Sequence, residues 1–106
     1  RAPRGDVEIV GIAEADHALA ARHAARFGFD PDLLHPTLDA MCDAARPEAV
    51  VAFGSIFEHL AVVEACAPRG IHVMVEKPLA VSGAHAARMA DLARTHGIHL
   101  LTNYET

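Results

Sequence analysis

Residues 71–80 read Ile71-His72-Val73-Met74-Val75-Glu76-Lys77-Pro78-Leu79-Ala80, and this stretch decides the fold class. An apolar run of strand length ends in a charged pair and a proline, as a buried strand leaving its sheet would. The chain holds one lysine, Lys77, against eight arginines. Arginine cannot replace lysine everywhere, because an ammonium gives up its proton at accessible cost and a guanidinium does not. A single lysine at the carboxyl end of a strand is therefore a candidate for chemistry, set against a surface lysine that arrived by chance.

Similar units flank this one. The β-branched run 7–13 is bounded by Gly5-Asp6 and Glu14; Asp16 caps a helix over 18–27, where Leu19, His23 and Arg26 share a face, and Gly28 stops it. A short extended piece at 33–35 precedes a helix over 38–45, with Thr37 as N-cap and Asp39 in its first turn. Pro47 separates that helix from a strand at 49–53. Gly54 to Glu58 turns into a helix over 59–67 that Pro68 and Gly70 end. After 71–75, Ser82 caps a helix over 83–95, Gly97 stops it, and a last strand covers 98–102. Strands alternating with helices at this spacing make βαβ units, a parallel sheet with right-handed crossovers.

Ligands of such sheets sit outside the carboxyl ends of the strands. The residues there are Glu14, the segment Phe53 to Ile56, Glu76 with Lys77, and Asn103, all expected on one edge of one sheet. Glu14 suits both hydroxyls of an adenosine ribose, or is a solvated loop carboxylate. Gly54 permits close approach of a ligand and Ser55 offers a hydroxyl, though an ordinary strand-to-helix turn uses the same residues. Glu76 and Lys77 point to opposite faces, and Pro78 stiffens the backbone at Lys77. His59 opens the helix after Gly54-Ser55 and is expected to face the same edge.

The 106 residues are at most one domain, 52% hydrophobic and 22% charged, with no repeat and no low-complexity tract. The net charge of −5 gives no electrostatic case for nucleic acid or an anionic membrane. No apolar stretch approaches the ~20 residues of a membrane span. Cys42 and Cys66 lack metal spacing and read as buried thiols of a cytoplasmic protein. The eight histidines form no zinc pattern: His17 and His23 lie on different helix faces, and His96 and His99 flank a turn. No metal is expected. Nucleophile-elbow, P-loop and Gly-x-Gly-x-x-Gly motifs are absent from the sequence. The chain opens on Arg1 and stops soon after its last strand, which reads as a piece of something longer.

Three segments together carry a resemblance. They are Val7-Glu8-Ile9-Val10-Gly11-Ile12-Ala13-Glu14, then Ala49-Val50-Val51 with His59 eight residues beyond the last valine, then Gly70 to Ala80 with its Glu-Lys-Pro-Leu. This pattern, over 7–105, resembles the Gfo/Idh/MocA oxidoreductases, named from glucose-fructose oxidoreductase and inositol dehydrogenase.

The resemblance implies that Glu14 binds the adenosine ribose and favours NAD over NADP. It implies that Gly54, Ser55 and Ile56 line the dinucleotide, where family members often carry Thr-Pro-Asn. It matches His59 to the histidine opening the next helix, and Glu76 and Lys77 to the pair near the nicotinamide ribose and substrate, the lysine assisting catalysis. It matches Asn103 to the asparagine near the nicotinamide. The function implied is hydride transfer between nicotinamide and a sugar, polyol or related hydroxyl substrate. An NAD-dependent glycosidase of the same fold, a sugar- or dinucleotide-sensing regulator and an inactive truncated product are the alternatives.

The fold expected is α/β, a Rossmann-type parallel sheet with flanking helices that lacks its first strand and glycine-rich turn. Residues 1–106 are then a partial NAD(P)-binding domain, without its first βα unit and the C-terminal substrate domain. The absent strand belongs between 7–13 and 49–53, so the piece alone is expected to expose apolar edges, to be poorly stable and to bind dinucleotide weakly or not at all. The full-length protein is expected to be a homo-oligomer through the second domain's sheet.

Overall fold

A computed structural model of the chain describes residues 6–103. Gly5 and residues 104–106 of the closing Thr-Asn-Tyr-Glu-Thr segment lie outside the described residues. The chain divides between Pro47 and Glu48 into two compact units, each built on its own parallel ladder.

The first unit runs β1 (Ile12–Ala13), α1 (His17–Phe27), a 3-10 turn (Pro31–Leu33), β2 (Leu34–His35) and α2 (Leu38–Ala45). Its helix boundaries follow the local chemistry. Asp16 Oδ1 accepts the Leu19 N–H at 3.0 Å, and Gly28 closes α1 in the left-handed region at φ 74°. Thr37 Oγ1 accepts the Ala40 N–H at 3.1 Å at the start of α2. The core positions of α1 are Ala20 and Ala24, one turn apart, whereas His23 and Arg26 are exposed.

The strand expected over 7–13 is a ladder only at 12–13, where Ile12 pairs with Leu34 and Ala13 with His35. Val7, Ile9 and Val10 are exposed. A β-branched run becomes a strand only where a neighbour takes up its backbone N–H and C=O groups, and β2 offers two residues for that.

The second unit runs β3 (Ala49–Ala52), a 3-10 turn (Ile56–Glu58), α3 (His59–Cys66), a 3-10 turn (Ala67–Arg69), β4 (His72–Glu76), α4 (Gly83–His96) and β5 (Leu100–Asn103). The strands form one parallel ladder in the order β3-β4-β5, with Val50 opposite Val73 and Val73 opposite Leu100. Alternate side chains of this ladder, Val50, Val73 and Val75, are buried with Val63 and Cys66 of α3 and Met89 and Leu92 of α4. Each fully buried aliphatic side chain of this kind contributes ~1.5–3 kcal/mol relative to exposure. The opposite pleat carries Val51 and Leu101, both half exposed.

Strand β4 begins one residue later than the pattern suggests. Ile71 instead closes the preceding turn, its N–H donating to the Cys66 carbonyl at 3.1 Å, while its side chain is buried. Ile98 does the same after α4, donating to the Ala93 carbonyl at 3.0 Å, so β5 starts only at Leu100. Among the described residues the strands form two parallel ladders, β1-β2 and β3-β4-β5, and no described strand joins them.

Candidate functional site

The carboxyl ends of β4 and β5 bring two of the expected residues together. Glu76 and Asn103 are the last residues of their strands and stand opposite each other in the ladder. Asn103 Nδ2 donates to Glu76 Oε2 at 3.4 Å, and the Lys77 N–H donates to Glu76 Oε1 at 3.2 Å. Both carboxylate oxygens of Glu76 are therefore engaged within the protein. Its work is to hold two strand ends and the start of the following loop. The alternation of β4, with Val73 and Val75 buried between half-buried neighbours, stops at the strand end: Glu76 is half-buried, and Lys77, one residue beyond, is exposed although it shares the parity of the buried valines. The ammonium of Lys77 is thus offered to solvent at the end of a rigid strand, and the Lys77–Pro78 peptide is cis.

At the end of β3, Gly54 and Ser55 are exposed and Ile56 is half-buried. The Ser55 hydroxyl accepts the Phe57 N–H at 3.1 Å, and Glu58 Oε2 accepts the Ser55 N–H at 3.3 Å, a reciprocal capping box. Ser55 Oγ thus has a structural partner, and the turn offers a ligand chiefly its exposed backbone. The Ser55-x-x-Glu58 spacing carried this information in the sequence, and Glu58 is the residue that sequence reasoning missed here.

His59 departs from expectation. It opens α3 but is enclosed, with 1% of its surface exposed, instead of facing the edge. Its Nδ1 lies 3.0 Å from the Leu79 carbonyl, 20 residues further on. A carbonyl only accepts, so Nδ1 carries the hydrogen. That bond ties the enclosed ring to the segment after β4. No local signal marks such a contact, since it joins the start of α3 to a loop 20 residues further on that only the fold brings near.

Glu14 belongs to the first unit. Its N–H donates to the His35 carbonyl at 2.9 Å, extending the β1–β2 ladder by one bond, and its Oε1 accepts the Asp16 N–H at 3.1 Å. Beside it Ile12, Ala20, His23, Phe27, Phe29 and Leu34 line an apolar cleft of ≈ 180 Å³. Sites for small organic molecules span about 300–1,000 Å³, so the cleft is too small to seat a dinucleotide by itself. Cys42 and Cys66 are buried thiols. Among the described residues no helix is long and apolar enough to cross a membrane.

Parallel strands joined by helices, with polar side chains gathered at the carboxyl ends, define a Rossmann-like nucleotide-binding architecture. Residues 1–104 match the profile of the Gfo/Idh/MocA oxidoreductase family, described by its NAD-binding Rossmann fold, and the chain belongs to that family. The dTDP-3,4-didehydro-2,6-dideoxy-α-D-glucose 3-reductase of Streptomyces antibioticus is 36% identical over 99 residues, which are 93% of this chain and 29% of the reductase. An NAD-binding oxidoreductase from Klebsiella pneumoniae superposes with a TM-score of 0.75 at 29% identity, over 88% of this chain and 24% of its own. The WlbA dehydrogenase of Bordetella pertussis, solved in complex with NADH and UDP-GlcNAcA, superposes with a TM-score of 0.79 over 89% of this chain and 26% of its own. At 22% identity, that likeness concerns the fold alone. The chain spans less than a third of the length of each of these relatives.

Proposed function

We propose that this chain is the greater part of the nucleotide-binding domain of a cytoplasmic, NAD-dependent oxidoreductase that acts on a carbinol or carbonyl carbon of a sugar, polyol or related compound. The observation that carries this reading is the end of β4: Glu76 holds Asn103 through one oxygen and the Lys77 backbone through the other, which leaves the Lys77 ammonium exposed. The likeness to a dTDP-sugar reductase supports a nucleotide-linked sugar as the substrate class.

The residues present fit a nicotinamide dinucleotide. Gly54 carries no side chain where the backbone turns out of β3, and an added Cβ there would lie 3.4 Å from the Glu58 carboxylate. Gly54, Ser55 and Ile56 would line the dinucleotide, Glu76 and Asn103 the nicotinamide ribose, and Glu14 would accept from the adenosine ribose hydroxyls while repelling a 2′-phosphate. The cofactor, when bound, would supply or accept a hydride. Lys77 would donate a hydrogen bond to the reacting oxygen and give or take its proton, a role for which the ammonium suits and a guanidinium does not.

In this reading the fold's first strand, with its glycine-rich turn, pairs with the ladder edges that β1 and β3 leave open. A separate domain supplies the remaining catalytic groups and the oligomer interface. The exposure of Val7, Ile9 and Val51 supports a missing neighbour. The test is Lys77→Ala in the full-length protein, with NADH oxidation followed on dTDP- and UDP-linked keto sugars. Turnover is expected to fall at least ~100-fold while the NADH Kd changes less than ~3-fold. Equal losses in both would reduce Lys77 to a structural residue and remove the mechanism.

A further inference from the structure

The buried His59 has one ring nitrogen in use and one with no partner. Nδ1–H donates to the Leu79 carbonyl, whereas Nε2 is buried and makes no hydrogen bond among the described residues. An enclosed acceptor left unpaired destabilises the fold, and an apolar ring of similar size would remove that cost. The histidine is therefore not explained by packing. What an apolar ring would lose is the Nδ1–H, and with it a hydrogen bond from the start of α3 to the loop that follows β4.

That loop is short and tied at both ends. On one side the Lys77 N–H donates to Glu76 Oε1 at 3.2 Å, and Glu76 is itself held by Asn103. On the other side the Leu79 carbonyl accepts from His59 at 3.0 Å. Lys77 and Pro78, the two residues between the anchors, are exposed. An exposed segment held at one end only samples conformations on nanosecond to microsecond times, and a second anchor restricts it.

We propose that His59 is a positioning residue: through Nδ1–H it fastens the Lys77-Pro78-Leu79 segment to the start of α3, and so sets where the Lys77 ammonium lies. The geometric part stands on the contacts above; the catalytic part rests on the role proposed for Lys77. His59 then acts on the reaction from behind the loop and touches neither cofactor nor substrate.

Side chains of known reach separate the two ring nitrogens. An asparagine places its amide N–H near the position of Nδ1, whereas a glutamine reaches out toward Nε2. The experiment uses the full-length protein with His59→Leu, His59→Asn and His59→Gln, each alone and combined with Lys77→Ala. Two readouts are taken: hydrogen exchange of the peptide covering 77–81, and turnover of NADH with dTDP-linked keto sugar.

In His59→Leu and His59→Gln, exchange in this peptide is expected to rise roughly tenfold, and kcat to fall roughly 10- to 100-fold with the NADH Kd within about threefold. His59→Asn should stay within about threefold of the parent in both readouts. In the Lys77→Ala background, His59→Leu should cost no further turnover, because both changes remove the same placed ammonium. Unchanged exchange in His59→Leu, or Asn and Gln behaving alike, overturns the proposal. So does a full additional loss of turnover in the double variant. If Lys77→Ala is itself harmless, the role of Lys77 fails, while the exchange data still decide whether His59 holds the loop. Should His59→Leu not fold, the contrast between His59→Asn and His59→Gln decides in its place.

Discussion

One methyl group added at two different glycines should act in opposite directions. At Gly11 a Cβ would lie 2.7 Å from Met41 Cγ, 3.1 Å from Met41 Sδ and 3.5 Å from Ala45 Cβ. Carbon atoms do not approach so closely, and the methionine must move. Its Cγ is near the backbone, and Met41 is buried at 6% exposure, so moving it means turning χ1 into a packed core. Overpacking of this kind costs about 1–3 kcal/mol. Gly83, the first residue of α4, has nothing within 4 Å of its would-be Cβ. Alanine there removes backbone freedom from the unfolded chain at no steric cost and should stabilise by about 0.4–1 kcal/mol.

The assay is native-state hydrogen exchange on the full-length protein, reading peptides over 12–13 and 38–45 for Gly11→Ala and over 83–96 for Gly83→Ala. Local protection is the right quantity, since it reads the opening of α2 and of α4 separately. Protection of α2 should fall about 5- to 150-fold in the first variant, and that of α4 should rise about 2- to 5-fold in the second. In a Met41→Ala background the Gly11→Ala change should become neutral or favourable, because the colliding Cγ is gone. Unchanged protection of α2 in Gly11→Ala, or an equal loss with and without Met41, would show that the close approach of Gly11 to α2 does not exist.

Two further outcomes bear on the site. Ser55→Ala should destabilise the turn after β3 by about 0.5–2 kcal/mol, the worth of an N-cap, yet lower NADH affinity less than ~3-fold, since the hydroxyl is committed to the Phe57 N–H; a titration of NADH fluorescence together with a melt reads both. Glu14→Ser should move the NADPH-to-NADH preference toward NADPH by about tenfold or more, through loss of repulsion toward a 2′-phosphate, as measured by paired Kd values.

The elements that local chemistry marks were legible before folding. Asp16, Thr37 and Ser82 each cap the helix the sequence assigned to them, and Gly28, Gly70 and Gly97 each adopt the left-handed conformation that ends an element. The parallel βαβ order and the strand-end placement of Glu76 and Asn103 followed from periodicity alone. Residues 7–11 misled for a reason that is equally physical. Their composition suits a strand, but a strand needs a partner, and partners are a property of the fold. The run at 71–75 was shifted by one residue because Ile71 gives its N–H to Cys66 at the end of the preceding turn.

By itself the sequence determined what depends on neighbours a few residues apart: caps, turn glycines, strand and helix periods, and the stiff Glu76-Lys77-Pro78 exit from a strand. Only the tertiary structure decided which polar groups meet. Asn103 reaches Glu76 across 27 residues and His59 reaches Leu79 across 20. The reason is that a hydrogen bond between distant residues depends on register and packing, which the whole ladder and its helices settle together, whereas a cap depends on one turn of backbone.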